Sequence, residues 1–127
     1  MELENLTGNI LQAAFTVSNE LGCGFLEKVY ETALLVSLKE KGLSAAAQQP
    51  FTIRYHGVIV GVYFADIIVD NRVIVEVKAA QELRPEHIAQ VLNYLKASGL
   101  PVGMLFNFAK PKLEYRRFTN RFLAIES

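Results

Sequence analysis

The sequence predicts an α/β (α+β) protein in which a mixed sheet of about five strands is flanked by helices. Two segments with helical apolar periodicity open the chain, and three Val- and Ile-rich segments with short connections follow them. A further amphipathic segment separates the third of these strands from a fourth. Because a helix between two strands usually returns the chain to a parallel neighbour, we expect antiparallel hairpins and one parallel pair in the same sheet.

Two helices are expected before the sheet. Apolar residues recur every three or four positions from Leu6 to Leu21. Gly22 and Gly24 follow, where a helix commonly ends with a glycine in the left-handed conformation. The second helix is expected from Leu26 to Lys41.

Glu27 lies in the first turn of the second helix. A carboxylate there interacts favourably with the positive end of the helix dipole, which is one explanation for it. Glu27, Tyr30 and Leu34 also share one helical face. The alternative explanation is that Glu27 and Tyr30 point together at a polar site on the sheet. Periodicity alone does not choose between the two interpretations.

The next three segments read as strands joined by tight turns. The strands are expected over Gln48 to Tyr55, Val58 to Val69 and Val73 to Lys78. His56-Gly57 forms the first turn, and Asp70-Asn71-Arg72 forms the second. A three-residue second loop places Asp66 opposite Glu76, whereas a two-residue loop would separate the two carboxylates and mix apolar with polar residues on both faces. The hydrophobic pattern therefore favours the three-residue loop.

This register gathers three charged side chains. The apolar face carries Ile67, Val69, Val73, Val75 and Val77, and the other face carries Asp66, Ile68, Ile74, Glu76 and Lys78. Paired carboxylates repel each other, and Mg²⁺ takes oxygen ligands from one or two carboxylates. Lys78 would lie beside the metal-bound water, so the arrangement predicts a metal-assisted phosphodiester hydrolase. The alternative is an ordinary set of cross-strand ion pairs on a half-exposed hairpin.

A helix is expected from Pro85 to Ser98, between a proline start and a Ser-Gly-Leu-Pro stop. At about 100° per residue, His87, Gln90 and Tyr94 fall within a sector of roughly 60° beside an apolar stripe. Gln90 and Tyr94 can bind a phosphate, a metal-bound water or a carboxylate without adding net charge. The alternative is an amphipathic helix whose polar residues border solvent.

The last two strands are expected over Val102 to Phe108 and Leu113 to Phe118. The segment around the final strand is basic and aromatic, which suits contact with a phosphate backbone and a base, or protection of an edge strand from aggregation. Its basic residues are Lys110, Lys112, Arg116, Arg117 and Arg121. The formal net charge of zero argues against a dedicated DNA binder, because affinity for nucleic acids comes largely from Lys and Arg contacts.

These landmarks resemble the GxxExxY proteins, a family of the PD-(D/E)xK nuclease superfamily. The resemblance runs from about Leu6 to Phe118. It rests on Gly24, Glu27 and Tyr30, on Asp66 with Glu76-Val77-Lys78, on Gln90 to Tyr94, and on Phe106-Asn107-Phe108. Ala65 stands where the superfamily name expects proline.

The resemblance implies a restriction-endonuclease-like αβββαβ core and a Mg²⁺-dependent nuclease acting on DNA, with Mn²⁺ as a substitute. Asp66, Glu76 and the Val77 carbonyl would be metal ligands. The implied catalytic set is Glu27, Asp66, Glu76, Lys78, Gln90 and Tyr94. Candidate substrate contacts are Tyr30, His87, Lys112, Arg116 and Arg117. The competing hypotheses are a catalytically silent module that binds nucleic acid or protein, and a subunit active only within a complex.

Composition sets further limits. The chain has 127 residues, of which 51% are hydrophobic, so we expect one ordered domain over residues 1–127. No apolar stretch is long enough to span a bilayer, and the amino terminus lacks the basic start of a secretion signal, so we expect a soluble cytoplasmic protein. Cys23 is the single cysteine, which excludes an internal disulfide. A homo-oligomer or a partner protein would use the last strand or the first helix as contact surface.

Overall fold

The computed structural model describes residues 1–122 as a five-stranded sheet with helices on both faces. The last residues of the domain expected over 1–127 lie outside this range. The helices and strands are α1 (Leu3–Leu21), α2 (Glu27–Glu40), β1 (Ala45–Tyr55), β2 (Val58–Val69), β3 (Val73–Lys78), α3 (Pro85–Ser98), β4 (Val102–Asn107) and β5 (Glu114–Thr119). Both α1 and β1 begin three residues earlier than expected, and the other boundaries agree within one residue.

The strands follow one another across the sheet in the order β1-β2-β3-β4-β5. β3 and β4 are parallel because α3 carries the chain back across the sheet, and the remaining neighbours are antiparallel. The predicted α+β class with a mixed sheet is therefore confirmed. None of the helices within residues 1–122 is long and apolar enough to cross a membrane.

The β2–β3 hairpin has the predicted three-residue loop. Val69 pairs with Val73, and Asp70 and Asn71 adopt φ angles of 54° and 53° between them. The Arg72 amide donates a 3.0 Å hydrogen bond to the Val69 carbonyl, which closes the turn. Asp and Asn tolerate positive φ better than other non-glycine residues, so this loop sequence fits the conformation.

Two hydrophobic clusters lie on opposite faces of the sheet. The first joins α1 and α2 to the five apolar hairpin residues predicted to share a face, Ile67, Val69, Val73, Val75 and Val77. The second joins α3 to the other face, where Val91 and Leu95 pack on Ile74 and Leu105. α3 approaches β4 most closely at Gly103, where a Cβ atom would lie 2.8 Å from Cγ1 of Val91.

The alternation of side chains along β2 changes at Asp66. Ile67 belongs to the first cluster, but Tyr63 and Ala65 belong to the second, although odd-numbered residues of a regular strand would share one face. In the facing strand Gln48 has a φ of 52°, between the pairs Ala47–Ile67 and Gln49–Ala65. The edge strand β1 and its neighbour β2 therefore switch faces together at the position of the predicted catalytic aspartate.

The end of α1 differs in detail from the expectation. Gly22 has a positive φ of 71°, but its ψ of −173° is not that of a left-handed helical residue. Its amide still donates to the Ser18 carbonyl, which satisfies one of the last carbonyls of the helix.

Candidate active site

Asp66 and Glu76 hold each other in place through the backbone. The Asp66 amide donates to Oε2 of Glu76 at 2.8 Å, and the Val77 amide donates to Oδ2 of Asp66 at 2.8 Å. The face switch at Asp66 explains this pairing, because in a regular strand the Asp66 amide would point toward β1, as the Asp70 amide does when it donates to the Ser44 carbonyl. Each carboxylate thus uses one oxygen for positioning, and Oδ1 of Asp66 and Oε1 of Glu76 accept no hydrogen bond from residues 1–122.

Burial and mutual repulsion make this carboxylate pair resist ionisation. Glu76 is only 3% exposed, and burial, followed by the charge of Asp66, raises its pKa to about 8. Burial likewise raises the pKa of Asp66 to about 6, although the hydrogen bond from the Val77 amide opposes the rise. The charge of Lys78 lowers both pKa values without overcoming burial. The charge of Lys78 is thus too little to keep both carboxylates ionised, and a bound cation would supply the missing positive charge.

Lys78 is positioned by α3. Its Nζ donates a 3.0 Å hydrogen bond to Oε1 of Gln90, and within residues 1–122 it forms no ion pair shorter than 4.0 Å. Because β3 alternates, Lys78 shares a face with Glu76. The ammonium is thus held next to the carboxylates by a neutral amide.

The Tyr94 hydroxyl also belongs to this group. Burial raises its pKa, and the charges of Glu76 and Asp66 raise it further, so the hydroxyl stays protonated as a hydrogen-bond donor. Its ring stacks on Tyr63 at 3.7 Å, and the Tyr63 hydroxyl donates to the Tyr94 carbonyl at 3.0 Å. The ring of Phe51 also stacks on the ring of Tyr63, with 5.3 Å between the two ring centroids. This aromatic stack fixes α3 over β1 and β2.

Helix α2 brings two carboxylates toward Asp66. Glu27 lies in the first turn of the helix, as predicted, and is exposed. Glu31, one turn later, is buried, and its Oε1 accepts a 2.6 Å hydrogen bond from Nε2 of Gln48. The charge of Glu31 raises the pKa of Asp66 more than that of Glu27 does. The sequence analysis missed Glu31, although its spacing of four residues from Glu27 places it on the same side of the helix.

Tyr30, predicted as a substrate contact, is committed to the interior of the protein. It is fully buried, and its hydroxyl donates to the Gly22 carbonyl at 2.6 Å and accepts from the Phe25 amide at 3.1 Å. Its ring stacks on Phe108 at 4.9 Å. Tyr30 therefore holds the glycine-containing loop between α1 and α2, and so fixes the start of the helix that carries Glu27.

His87 has a structural role at the start of α3. Its Nδ1 accepts a 3.0 Å hydrogen bond from the Arg84 amide, which caps the helix. His87 is half-buried, whereas Gln90 in the same sector accepts a hydrogen bond from Lys78, and Tyr94 lies close enough to Glu76 and Asp66 for their charges to raise its pKa. The capping interaction engages Nδ1 of His87, and a substrate contact of this side chain stays a prediction.

The basic residues near the last strand do not form one surface. Arg116 pairs with Leu105 and Arg117 pairs with Met104, so the two guanidinium groups leave opposite faces of the sheet. Arg116 alone shares the face of Glu76, because Glu76 also pairs with Leu105. Lys112 is exposed in the turn before β5. The two arginines of the last strand therefore lie on both faces of the sheet, and a phosphate backbone bound on one face would meet one of them.

A groove lies between β1 and α3. Its volume is about 840 Å³, and Gln90 and Tyr94 line the part next to the candidate site. Its other lining residues are Thr52, Ile53, Arg54, Glu86, Ala89, Asn93, Lys96 and Ala97. The sequence analysis did not select Arg54 or Lys96, because a groove wall built from residues about forty positions apart leaves no local pattern.

The donor set at Asp66 and Glu76 fits Mg²⁺. Two carboxylates with one uncommitted oxygen each suit an ion that takes one or two carboxylates and keeps several waters. A third carboxylate ligand is not required, and within residues 1–122 no group of three or more His, Cys, Asp or Glu side chains is arranged to hold a metal. Val77 is fully buried and contributes its amide to Asp66.

Asn107 supports the site from β4. Its side chain accepts from the Ala80 amide at 3.0 Å and donates to the Ala80 carbonyl at 2.8 Å. It also donates to Oε1 of Glu114 at 3.0 Å and is fully buried. These bonds anchor the chain two residues after Lys78.

Comparison with known proteins places these residues in a family. A family model described as the PD-(D/E)XK nuclease superfamily matches residues 4–118, which include both carboxylates, Lys78 and Gln90. Searches of curated proteins and of solved structures found no match. The five-stranded mixed sheet is that of a restriction-endonuclease-like fold, and members of the superfamily are generally phosphodiester hydrolases. The chain belongs to the PD-(D/E)XK nuclease superfamily.

Proposed function

We propose that this protein is a Mg²⁺-dependent nuclease of the GxxExxY type that hydrolyses phosphodiester bonds of DNA. The observation that carries the proposal is the interlocked pair Asp66 and Glu76 beside a lysine held by Gln90. Such a pair raises its own pKa values through burial and repulsion, which is costly for a purely structural cluster. A divalent cation would remove that cost and give the cluster a function.

Asp66, Glu76 and the main-chain carbonyl of Val77 would hold the ion. Once bound, Mg²⁺ would lower the pKa of a water and offset negative charge on the phosphate. Lys78 orients the attacking water and adds positive charge where it develops on the phosphate oxygen. Gln90 keeps Lys78 in that position with its 3.0 Å hydrogen bond, and it uses no charge to do so. The protonated Tyr94 hydroxyl donates to a phosphate oxygen.

We place the substrate strand in the groove between β1 and α3. Arg54 and Lys96 lie along this groove, and within residues 1–122 neither has a carboxylate partner within 4.0 Å. Ile53 and Ala89 give it an apolar lining, and the Tyr94 ring lies at its inner end. Apolar walls with a few cations suit one strand with unstacked bases better than a duplex, whose binding surfaces are larger and more basic.

The test is hydrolysis of a labelled single-stranded DNA with Mg²⁺ or Mn²⁺, alongside duplex DNA, branched DNA and RNA. The native chain is compared with Glu76→Gln and Lys78→Met. Matched controls are Glu40→Gln and Lys39→Met, which change exposed residues at the far end of α2. Loss of one component of a positioned catalytic group should lower the rate by at least about a hundredfold.

Cleavage that needs the divalent ion, survives in both controls and disappears in both site variants supports the proposal. Equal cleavage by all five proteins identifies a contaminating nuclease. If the native chain binds the labelled strand but does not cleave it, the result favours a module that binds without catalysis. A rate that appears only after a cellular fraction is added favours a subunit active within a complex.

A further inference from the structure

Gln48 lies in β1 at a point where the strand departs from regular geometry. Its φ of 52° is positive, a conformation that costs a non-glycine residue energy and persists only where surrounding contacts hold it. The positions before and after it pair with Ile67 and Ala65 of β2, so Gln48 occupies the position across from Asp66. The strained residue of β1 therefore lies at the level of the candidate metal ligand in β2.

A buried carboxylate of α2 holds the side chain of Gln48. Oε1 of Glu31 accepts a 2.6 Å hydrogen bond from Nε2 of Gln48, and Glu31 is only 6% exposed. Oε2 of Glu31 lies 3.4 Å from Nζ of Lys28, whose side chain is 68% exposed, and an ion pair with so exposed a partner adds little. The bond to Gln48 is the stronger contact, because a carboxylate acceptor makes a hydrogen bond roughly twice as strong as a neutral one does.

This bond ties the irregular position to a different part of the fold. The Gln49 side chain also spans Gln48, since it donates to the Ala47 carbonyl at 3.1 Å, but that bond lies within β1. The bond to Glu31 joins β1 to α2, and the buried apolar side chains of α2 pack in the first hydrophobic cluster. Helix α2 can therefore resist a return of β1 to regular geometry.

We propose that Glu31 is a positioning residue of the candidate active site. Through its bond to Gln48 it maintains the face switch of β1 and β2, which turns the Asp66 amide toward Oε2 of Glu76. The inference rests on the proposed function, because it concerns Asp66 as a ligand of the divalent ion. Glu31 acts through Gln48 and is not a ligand, since within residues 1–122 no group of three or more His, Cys, Asp or Glu side chains is arranged to hold a metal.

The test is amide hydrogen exchange followed by NMR in EDTA, which reports on the site without a metal. The site amides are those of Asp66 and Val77, which donate to the carboxylates of Glu76 and Asp66. The amide of Leu95, which is buried in α3 on the other face of the sheet, is the internal reference for global unfolding. A change in the site amides relative to this reference measures local opening at the site.

Three single substitutions define the contribution of the bond. Glu31→Ala leaves the Gln48 side chain without its charged partner, so it should lower the relative protection of the site amides at least about tenfold. Glu31→Gln retains an acceptor oxygen and should stay within about threefold of the native chain. The control Glu40→Ala removes an exposed glutamate at the end of the same helix and should leave the protection unchanged.

Glycine at position 48 separates positioning from general packing. Because glycine adopts a positive φ without strain, Gln48→Gly added to Glu31→Ala should restore the protection of the site amides to within about threefold of the native chain. The matched control adds Ala46→Gly to Glu31→Ala, since Ala46 is exposed in the same strand and pairs with Ile68. This second glycine should restore nothing.

Protection that is unchanged in Glu31→Ala overturns the proposal, and so does a loss that Gln48→Gly does not restore. If Glu31→Ala does not fold, a folded double variant with native protection supports the proposal, and an unfolded double variant overturns it.

Mg²⁺ titration by calorimetry separates this inference from the proposed function. An affinity that falls at least about tenfold in Glu31→Ala and recovers with Gln48→Gly supports both. A native chain that shows the expected protection but binds no Mg²⁺ contradicts the proposed function and still supports the positioning role. Unchanged protection together with unchanged Mg²⁺ affinity in Glu31→Ala overturns the positioning role alone.

Discussion

Glu76→Gln should make the metal-free protein more stable at neutral pH, although it removes a residue of the candidate active site. Glu76 is buried next to Asp66, and among the residues that the structure describes Lys78 is the cation whose charge opposes the rise in its pKa. Glutamine has almost the same shape and can accept the hydrogen bond from the Asp66 amide through its carbonyl oxygen. Its amide group can in turn donate to the Asp66 carboxylate. The substitution thus removes a charge and retains the packing.

The size of the effect follows from the pKa of Glu76. Its ordinary value of 4.5 is raised to about 8 in the folded chain. The value pH 7 lies about 2.5 pH units above this ordinary pKa and still below the pKa of the folded chain. At 1.36 kcal/mol per pH unit, the raised pKa therefore lowers the unfolding free energy of the native chain by about 3 kcal/mol at pH 7, relative to a chain without this charge. For a chain of this length the gain of the variant corresponds to a rise in Tm of about 10 °C.

The sign of the pH dependence is fixed by the direction of both shifts. Because the pKa values of Asp66 and Glu76 are raised, the folded state binds more protons than the unfolded state between about pH 4 and pH 8. The stability that they contribute is fully present below their ordinary pKa values and is lost as the pH rises through the folded values. The difference between the native chain and Glu76→Gln should therefore be small at pH 4.5 and largest at pH 8.

The assay is urea unfolding in EDTA at pH 4.5, 6, 7 and 8, with Glu40→Gln as the matched control at an exposed glutamate. A second series in Mg²⁺ should raise the stability of the native chain at pH 8, by about 2.7 kcal/mol when the ion exceeds its Kd a hundredfold. The same ion should stabilise Glu76→Gln much less. A native chain as stable as the variant at pH 8 in EDTA, or equal Mg²⁺ stabilisation of both, would refute this account of the carboxylate pair.

Three further substitutions test the supports of the site, each by urea unfolding. Asn107→Ala leaves the Ala80 amide and carbonyl without their buried partner and should cost about 2–4 kcal/mol, whereas Lys112→Ala in the exposed turn should cost little. Gly103→Ala places a methyl group 2.8 Å from Cγ1 of Val91, so it should cost about 1–3 kcal/mol; a neutral result would show that α3 moves freely. Tyr30→Phe removes two hydrogen bonds in the loop before α2 and should cost about 1–3 kcal/mol, a loss that a solvent-facing tyrosine would not show.

Much of the fold could be predicted because its patterns are local. The β2–β3 hairpin follows from one consideration, since only the three-residue loop keeps Ile67 and Val75 on the same face. The boundaries of α3 follow from Pro85 and from Gly99, which ends the helix in the left-handed conformation with φ of 73°. Both features depend on residues within a few positions of each other.

The site was harder to predict because it depends on contacts between distant segments. Glu31 becomes part of it only through Gln48 on β1. Tyr30 looked like a substrate contact because it shares a helical face with Glu27, but its hydroxyl is satisfied by the preceding loop. Alternation along the predicted last strand places Arg116 and Arg117 on opposite faces, but only the pairing with β4 shows that Arg116 is the one on the face of Glu76.

The face switch at Asp66 connects the main features of the molecule. If β2 alternated regularly from Ile68 back to Val58, its even-numbered residues would face α3 and Tyr63 would point away from it. Tyr63 could not then stack on Tyr94, and the Asp66 amide would point toward β1, as the Asp70 amide does, and away from Glu76. The same switch turns Val62 and Phe64 away from α3 and leaves both side chains more than half exposed. One local irregularity thus creates the carboxylate pair and positions the helix that holds Lys78, which is why a strand pattern read as regular predicts the β2–β3 hairpin but not the part of β2 that precedes Asp66.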